Sequence, residues 1–107
     1  MVDVKVNGRI YPAAANFNAV AAYLGYVGRD TIDGLVNIDR LSPSDCTALV
    51  AACVNEGLRQ AGKDERITPD DVGASPESLV EVPAAVAAIF KELSPGVSGQ
   101  EDGKKKE

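Results

Sequence analysis

The chain contains no histidine and no tryptophan, and only 5% of its 107 residues are aromatic. Without histidine, a serine or cysteine nucleophile would have no imidazole beside it to accept a proton. Two cysteines are too few to hold a metal ion by themselves. Aspartate and glutamate are present, but they concentrate at predicted helix starts, where their charge suits the helix dipole. We therefore expect no catalytic, cofactor-binding or metal-binding residues, no bound cofactor and no enzyme activity.

Clustered positive charge is also scarce. The formal net charge is -5, and the basic run Lys104–Lys106 is offset by Glu101, Asp102 and Glu107 around it. Proteins that bind DNA or RNA neutralise phosphates with a basic face, which this chain does not have. The composition argues against a nucleic-acid partner.

The sequence contains no long apolar run and no recognisable export signal. No stretch approaches the roughly 18 consecutive apolar residues of a membrane-spanning helix. The N-terminal residues MVDVKVNG lack the basic and then apolar layout of a signal peptide. Cys46 and Cys53 fall on one predicted helix, two turns and about 10 Å apart, too far for a disulfide. These features predict a cytoplasmic protein with reduced thiols and no membrane partner.

Apolar residues nevertheless make up 45% of the chain, most of them alanine, valine, leucine and isoleucine. A chain of this length forms one domain with one core. Small side chains bury little surface each, so the core is expected to be of modest stability, to which a bound partner could add.

The N-terminal residues VDVKVNGRIY have the pattern of a β-hairpin at about residues 2–12. Val2, Val4 and Val6 alternate with polar residues, and Asn7-Gly8 is the dipeptide preferred in a two-residue type I′ turn. Pro12 either ends the return strand or confines it to an edge. Because an isolated hairpin is only marginally stable, this one must lie on helices or pair with a strand of another chain.

Apolar spacing then becomes helical. Asn16 or Asn18 is a candidate cap for a helix with an apolar stripe, and this helix ends near Gly25 and Gly28. A shorter helix is predicted over about residues 30–37. The stripe of the first helix consists of Phe17, Val20, Ala21 and Leu24.

A Ser/Thr-Pro pair followed by acidic residues recurs three times, as at a capped helix start with proline in its first position. Ser42-Pro43 begins a long helix that stops at Gly62, Thr68-Pro69 begins a short one, and Ser75-Pro76 begins the last. Pro83 falls inside the last helix. The apolar phase continues through it, so a kinked helix is favoured over two separate helices.

Together these elements predict a mainly α (α+β) fold: a small helical bundle with an N-terminal β-hairpin packed on it. Residues 1–96 form the single helical domain. Residues 97–107 are rich in glycine, serine and charge and lack periodicity, so they are expected to be a disordered C-terminal tail.

The order of the motifs VNGRIYP, NFNAVAAYLG, LSPSDCTALVAACVNEGLRQ, ITPDDVG and LVEVPAAVAAIFKELSPG resembles the tail assembly chaperones of long-tailed bacteriophages and prophages. The resemblance spans about residues 2–96. The chain departs from the family at AVAAYLG, where acidic residues are common, and at Pro83.

The resemblance implies a non-enzymatic protein of the bacterial host cytoplasm. It would bind the tape measure protein, a long helical chain, while tail tube subunits assemble around it. It would also bind the tail tube protein and form a homo-oligomer. The alternative is a small cytoplasmic adaptor or regulatory domain that binds a protein partner unrelated to phage. The candidate partner-binding residues are Val4, Val6, Ile10, Tyr11, Tyr23, Tyr26 and Phe90.

Overall fold

The computed structural model describes residues 1–28 and 41–102, with side chains described as far as residue 92. Within these residues, two strands come first and four helices follow. The strands are β1 (Val2–Val6) and β2 (Arg9–Ala13), and the helices are α1 (Phe17–Val27), α2 (Pro43–Gln60), α3 (Pro69–Val72) and α4 (Ser78–Asp102). The mainly helical α+β fold is therefore confirmed.

The hairpin forms where the sequence predicts it. Asn7 and Gly8 have φ values of 54° and 81°, the left-handed conformation that a type I′ turn requires at both central positions. In the antiparallel register, Val4 lies opposite Tyr11 and Asp3 lies opposite Pro12. The return strand continues one residue past Pro12 to Ala13.

Helix α1 begins at the first of the two candidate caps. The Asn16 side chain accepts a hydrogen bond from the Ala19 N–H at 2.9 Å, and Gly28 ends the helix at a φ of 74°. The buried face is centred on Tyr23 and contains Ala19, Val20 and Leu24. The predicted stripe was wrong at Phe17, which is 72% exposed, and at Ala21, which is also exposed, because both residues lie outside that face.

Helix α2 is the centre of the fold. Ser42 and Asp45 form a reciprocal capping box at its start, and Gly62 terminates it with a φ of 76°. Every residue from Ala48 to Val54 is buried, so this part of the helix is covered on all sides.

Helix α3 has the predicted start, because Thr68 and Asp71 form a second capping box around Pro69. Helix α4 does not. Ser75 and Pro76 lie in a turn before it, and the helix begins at Ser78, whose hydroxyl donates to the buried Val72 carbonyl at 2.8 Å. This bond holds the chain in the turn and delays the helix.

Pro83 lies inside one continuous helix, so the alternative of two separate helices was wrong. A proline at this position removes the bond to the carbonyl four residues earlier, which belongs to Leu79 in the first turn. Only this one bond near the helix start is lost, and the helix continues past Pro83.

The hairpin lies on the helices. Strand β2 crosses α2 so closely that an added Cβ on Gly57 would lie 2.3 Å from the Pro12 carbonyl oxygen, and the Ala14 N–H donates to the Cys53 carbonyl at 2.9 Å. Strand β1 runs beside α4, and α1 packs on α2. One core is enclosed between these elements.

Two predictions concern the remaining segments. The short helix expected over residues 30–37 lies outside the described residues. The α4 backbone is helical to Asp102, six residues into the segment expected to be a disordered tail, and residues 103–107 lie outside the described part.

Candidate partner-binding site

Four of the seven candidate partner-binding residues belong to the core. Val4, Val6, Tyr11 and Tyr23 are each 6% exposed or less. The three hairpin residues share the face of the sheet that packs on the helices, and Tyr23 occupies the centre of the buried face of α1. The prediction that these four residues bind a partner is therefore corrected, because their side chains are buried in the core and do not reach the surface.

The other three residues do not form one surface. Ile10 is 60% exposed on the outer face of the hairpin, and Tyr26 is 48% exposed on α1, with its hydroxyl 3.5 Å from the Asn55 amide nitrogen. Phe90 is half-buried and lines an open groove on another side of the molecule. Only Phe90 among the seven contributes to that groove.

The hairpin is anchored at its turn by a carboxylate from α4. Glu81 accepts hydrogen bonds from the backbone N–H groups of Asn7 and Gly8 at 2.8 and 2.9 Å. The Asn7 side chain in turn donates to the Asp71 carbonyl at 2.8 Å. These contacts hold the turn against α3 and α4.

A second anchor joins β2 to the loop after α2. The Arg9 guanidinium donates two hydrogen bonds to the Glu65 carboxylate, at 2.8 and 3.0 Å, and the Tyr11 hydroxyl donates to it at 3.1 Å. The bonds from Arg9 lower the pKa of Glu65, while burial raises the pKa of Tyr11. The Arg9–Glu65 pair is solvent-exposed. Its hydrogen bonds join β2 to the loop, so we interpret it as a structural contact.

A concave surface in the described part of the chain is a groove between the start of α2 and the start of α4. Its volume is about 750 Å³, within the usual range for binding pockets. Leu79, Val82, Val86 and Phe90 form one side along a single face of α4. The remaining lining residues are Leu41, Pro43, Cys46, Thr47, Gly73, Ser75, Ser78, Pro83 and Ala87.

The groove lining is almost wholly apolar and carries no charged side chain. Its hydroxyl groups already have partners: Thr47 donates to the Ser44 carbonyl at 2.9 Å, Ser78 donates to the Val72 carbonyl, and the Ser75 hydroxyl lies 3.4 Å from that of Ser78. Leu79 stands at the rim and is 85% exposed. Such a groove can bind an apolar surface by shape and burial, and it offers little to a polar ligand.

The sequence analysis did not predict this groove, because it followed one apolar phase through Pro83 without separating the residues that the fold buries from those that it leaves exposed. The spacing of the apolar residues along α4 does indicate a second apolar face. Val82, Val86 and Phe90 recur at helical spacing beside a second apolar set, Ala85 and Ile89, which is the buried one. Two adjacent apolar stripes on one helix indicate two contact faces. The fold buries Ala85 and Ile89 fully and covers Val82, Val86 and Phe90 only in part.

Comparison with known proteins finds no family model that matches the chain, no curated protein with significant sequence similarity and no solved structure with significant similarity. Within residues 1–28 and 41–102, no helix is both long and apolar enough to cross a membrane. The same residues hold no group of three or more metal-ligating side chains.

Proposed function

We propose that this protein is a tail assembly chaperone of a long-tailed bacteriophage or prophage, which binds apolar helical segments of the tape measure protein. The groove between α2 and α4 is the observation that carries the proposal. It adds to the resemblance in the order of the sequence motifs, which spans nearly the whole folded part.

The groove suits a helix as its occupant. Its α4 side presents apolar residues at positions 79, 82, 86 and 90, which repeat at the spacing of one helical face. A second amphipathic helix can lay its own apolar face along such a row, as in other helix-in-groove complexes. The tape measure protein is a long helical chain, and its apolar faces need cover until the tail tube encloses them.

The acidic charge of the chain is consistent with this role. A chaperone must stay dispersed while it exposes apolar surface, and a net charge of -5 on a small domain opposes self-aggregation. In the proposed complex, burial of the groove provides the affinity, and the surrounding charge keeps the complex soluble.

The test is co-expression of the full chain with fragments of the tape measure protein, followed by light scattering of the soluble fraction. The native chain is expected to hold the helical fragments in solution as a complex of defined mass. Leu79→Lys places a charge at the rim of the groove and is expected to weaken the complex at least about tenfold, because burying that charge is costly.

Phe17→Lys is the matched control. Phe17 is a comparably exposed apolar residue at 72%, but it lies on α1 and does not line the groove. It is expected to leave binding unchanged. The proposal fails if tape measure fragments are not retained in solution by the native chain, or if the two variants impair binding equally.

A further inference from the structure

The outer edge of β1 offers unused backbone hydrogen-bonding groups. Val6 and Arg9 flank the two-residue turn and so form a hydrogen-bonded pair, and the pair types alternate from there. Asp3 and Lys5 therefore stand in non-hydrogen-bonded pairs, with their N–H and C=O groups directed away from β2. Neither backbone N–H has a partner among the described residues.

The other edge of the hairpin is closed to the same use. Its outward-directed positions are Ile10 and Pro12. Pro12 has no N–H to donate, and its carbonyl is packed against Gly57 of α2. Only the β1 edge can accept a further strand.

A shallow groove of about 210 Å³ lies beside that edge, between β1 and α4. Its helical side is formed by five residues of α4. Val80, Ala84 and Ala88 are four residues apart and make a row of small side chains, beside which lie Ala85 and Glu81, whose carboxylate is bonded to the hairpin turn. Val80 is 76% exposed. An extended segment laid in this groove would pair with β1 and rest its inward side chains on that row, which is the arrangement of strand-addition complexes.

The charges on this edge define what the segment must carry. Asp3 and Lys5 are exposed, and each faces an uncharged residue across the hairpin, Pro12 and Ile10 respectively. In an antiparallel strand added to β1, the residues opposite Asp3 and Lys5 would exchange backbone hydrogen bonds with them and point to the same face. Opposite charges at such cross-strand positions stabilise the pair.

We propose that the β1 edge binds an extended segment of a partner protein that reads, from its N-terminus, acidic, small apolar, basic. The acidic residue pairs with Lys5, the apolar one rests on α4, and the basic one pairs with Asp3. This inference does not depend on the proposed chaperone function, because it uses a different surface.

A second folded copy is a poorer occupant, although β1 itself contains the sequence Asp-Val-Lys. In each copy α4 lies beside β1, where Glu81 holds the turn and Glu92 lies 3.1 Å from the N-terminal amine. Paired strands are about 4.8 Å apart, whereas packed helices need about 8–10 Å. Two such helices would be crowded together beneath the paired strands, while a lone extended segment brings no helix with it.

The test is a nuclear magnetic resonance titration of the nitrogen-15-labelled full chain with the blocked pentapeptide Val-Asp-Val-Lys-Val. Saturable shifts are expected at the Asp3 and Lys5 amides. The control peptide Val-Lys-Val-Asp-Val has the same composition with the charges exchanged. It is expected to bind at least about fivefold more weakly, because both cross-strand pairs become repulsive.

Two variants complete the test. The double variant Asp3→Lys, Lys5→Asp is expected to reverse the preference between the two peptides. Lys5→Pro removes an outward N–H and is expected to abolish binding, whereas Ile10→Pro, directly across the hairpin, removes an outward N–H of β2 and is expected to leave it intact. Thermal melts establish that each variant is folded.

Three results would overturn the proposal. They are the absence of saturable shifts at Asp3 and Lys5, a peptide preference that does not follow the exchanged charges, and concentration-dependent self-association of the free chain through the same two amides. The last result would assign the edge to a second copy.

Discussion

At the scale of single residues, Glu56 has the densest set of polar contacts in the described structure. Its buried carboxylate accepts hydrogen bonds from Asn16 at 2.9 Å, from Arg59 at 3.0 and 2.6 Å, and from Gln60 at 3.2 Å. Asn16 is also the cap of α1, so one side chain links the start of α1 to α2. The bonds from Arg59, and then that from Asn16, lower the pKa of Glu56 from about 4.5 to about 2.

The lowered pKa of Glu56 predicts how the stability of the protein depends on pH. A carboxyl whose pKa is lower in the folded state stabilises the fold fully above its ordinary pKa, and loses that contribution as the pH falls toward its folded pKa. We expect Glu56→Gln to lower the free energy of unfolding by about 1–2 kcal/mol at pH 7. The difference in the free energy of unfolding between this variant and the native chain should fall to zero as the pH is lowered from 4.5 to about 2.

Urea denaturation across that pH range checks this prediction. Glu77→Gln, at an exposed glutamate in the turn before α4, is the control and is expected to follow the native profile. A Glu56→Gln variant that kept a constant deficit down to pH 2 would show that the charge of Glu56 does not stabilise the fold.

At the scale of elements, the contact between β2 and α2 depends on a helix position without a side chain. A Cβ on Gly57 would meet three backbone atoms of Pro12 and Ala13 within 3 Å, so the strand would have to move. The Ala14 to Cys53 backbone bond ties the same two elements together. The strand can lie this close to the helix only over glycine.

Gly57→Ala is therefore expected to destabilise the protein by about 2–4 kcal/mol, although alanine is the better helix former. Gly25 is the matched control, because it lies in a helix with nothing within 4 Å of an added Cβ. Gly25→Ala should stabilise the protein by about 0.5–1 kcal/mol. Thermal and urea unfolding measure both, and equal effects of the two substitutions would refute the close-approach argument.

At the scale of the whole molecule, the two cysteines report on two different environments, because one lines the groove and the other lies in the core. Cys46 lines the groove and is half-buried, while Cys53 lies in the buried centre of α2. Burial raises the pKa of both thiols, that of Cys53 to about 12. Only the thiolate reacts, so accessibility and pKa both protect Cys53.

In a colorimetric thiol assay at pH 8, we expect Cys46 to react at least about tenfold faster than Cys53 in the folded protein. Cys46→Ser should remove the fast phase, and Cys53→Ser should leave it. A tape measure fragment bound in the groove should slow Cys46, whereas a peptide on the β1 edge should not. Equal rates for the two thiols would mean that the groove is not the open surface described above.

Several elements could be read directly from the sequence. Asn7-Gly8, Ser42-Pro43 and Thr68-Pro69 each act through their own backbone and that of the next few residues. The turn and both capped helix starts were therefore predicted correctly. The same reasoning failed at Ser75-Pro76, where a hydrogen bond to Val72 holds the chain in a turn before α4.

The sequence by itself determined the hairpin and the starts of α1, α2 and α3, because turn and cap preferences are local. Only the tertiary structure decided which apolar face each helix buries, and hence that Tyr23 belongs to the core while Leu79 lines a groove. It also decided the contacts of Glu56 and Gly57, which join residues far apart in the chain. Spacing along one helix shows that apolar faces exist, but the neighbouring elements determine which of them is covered.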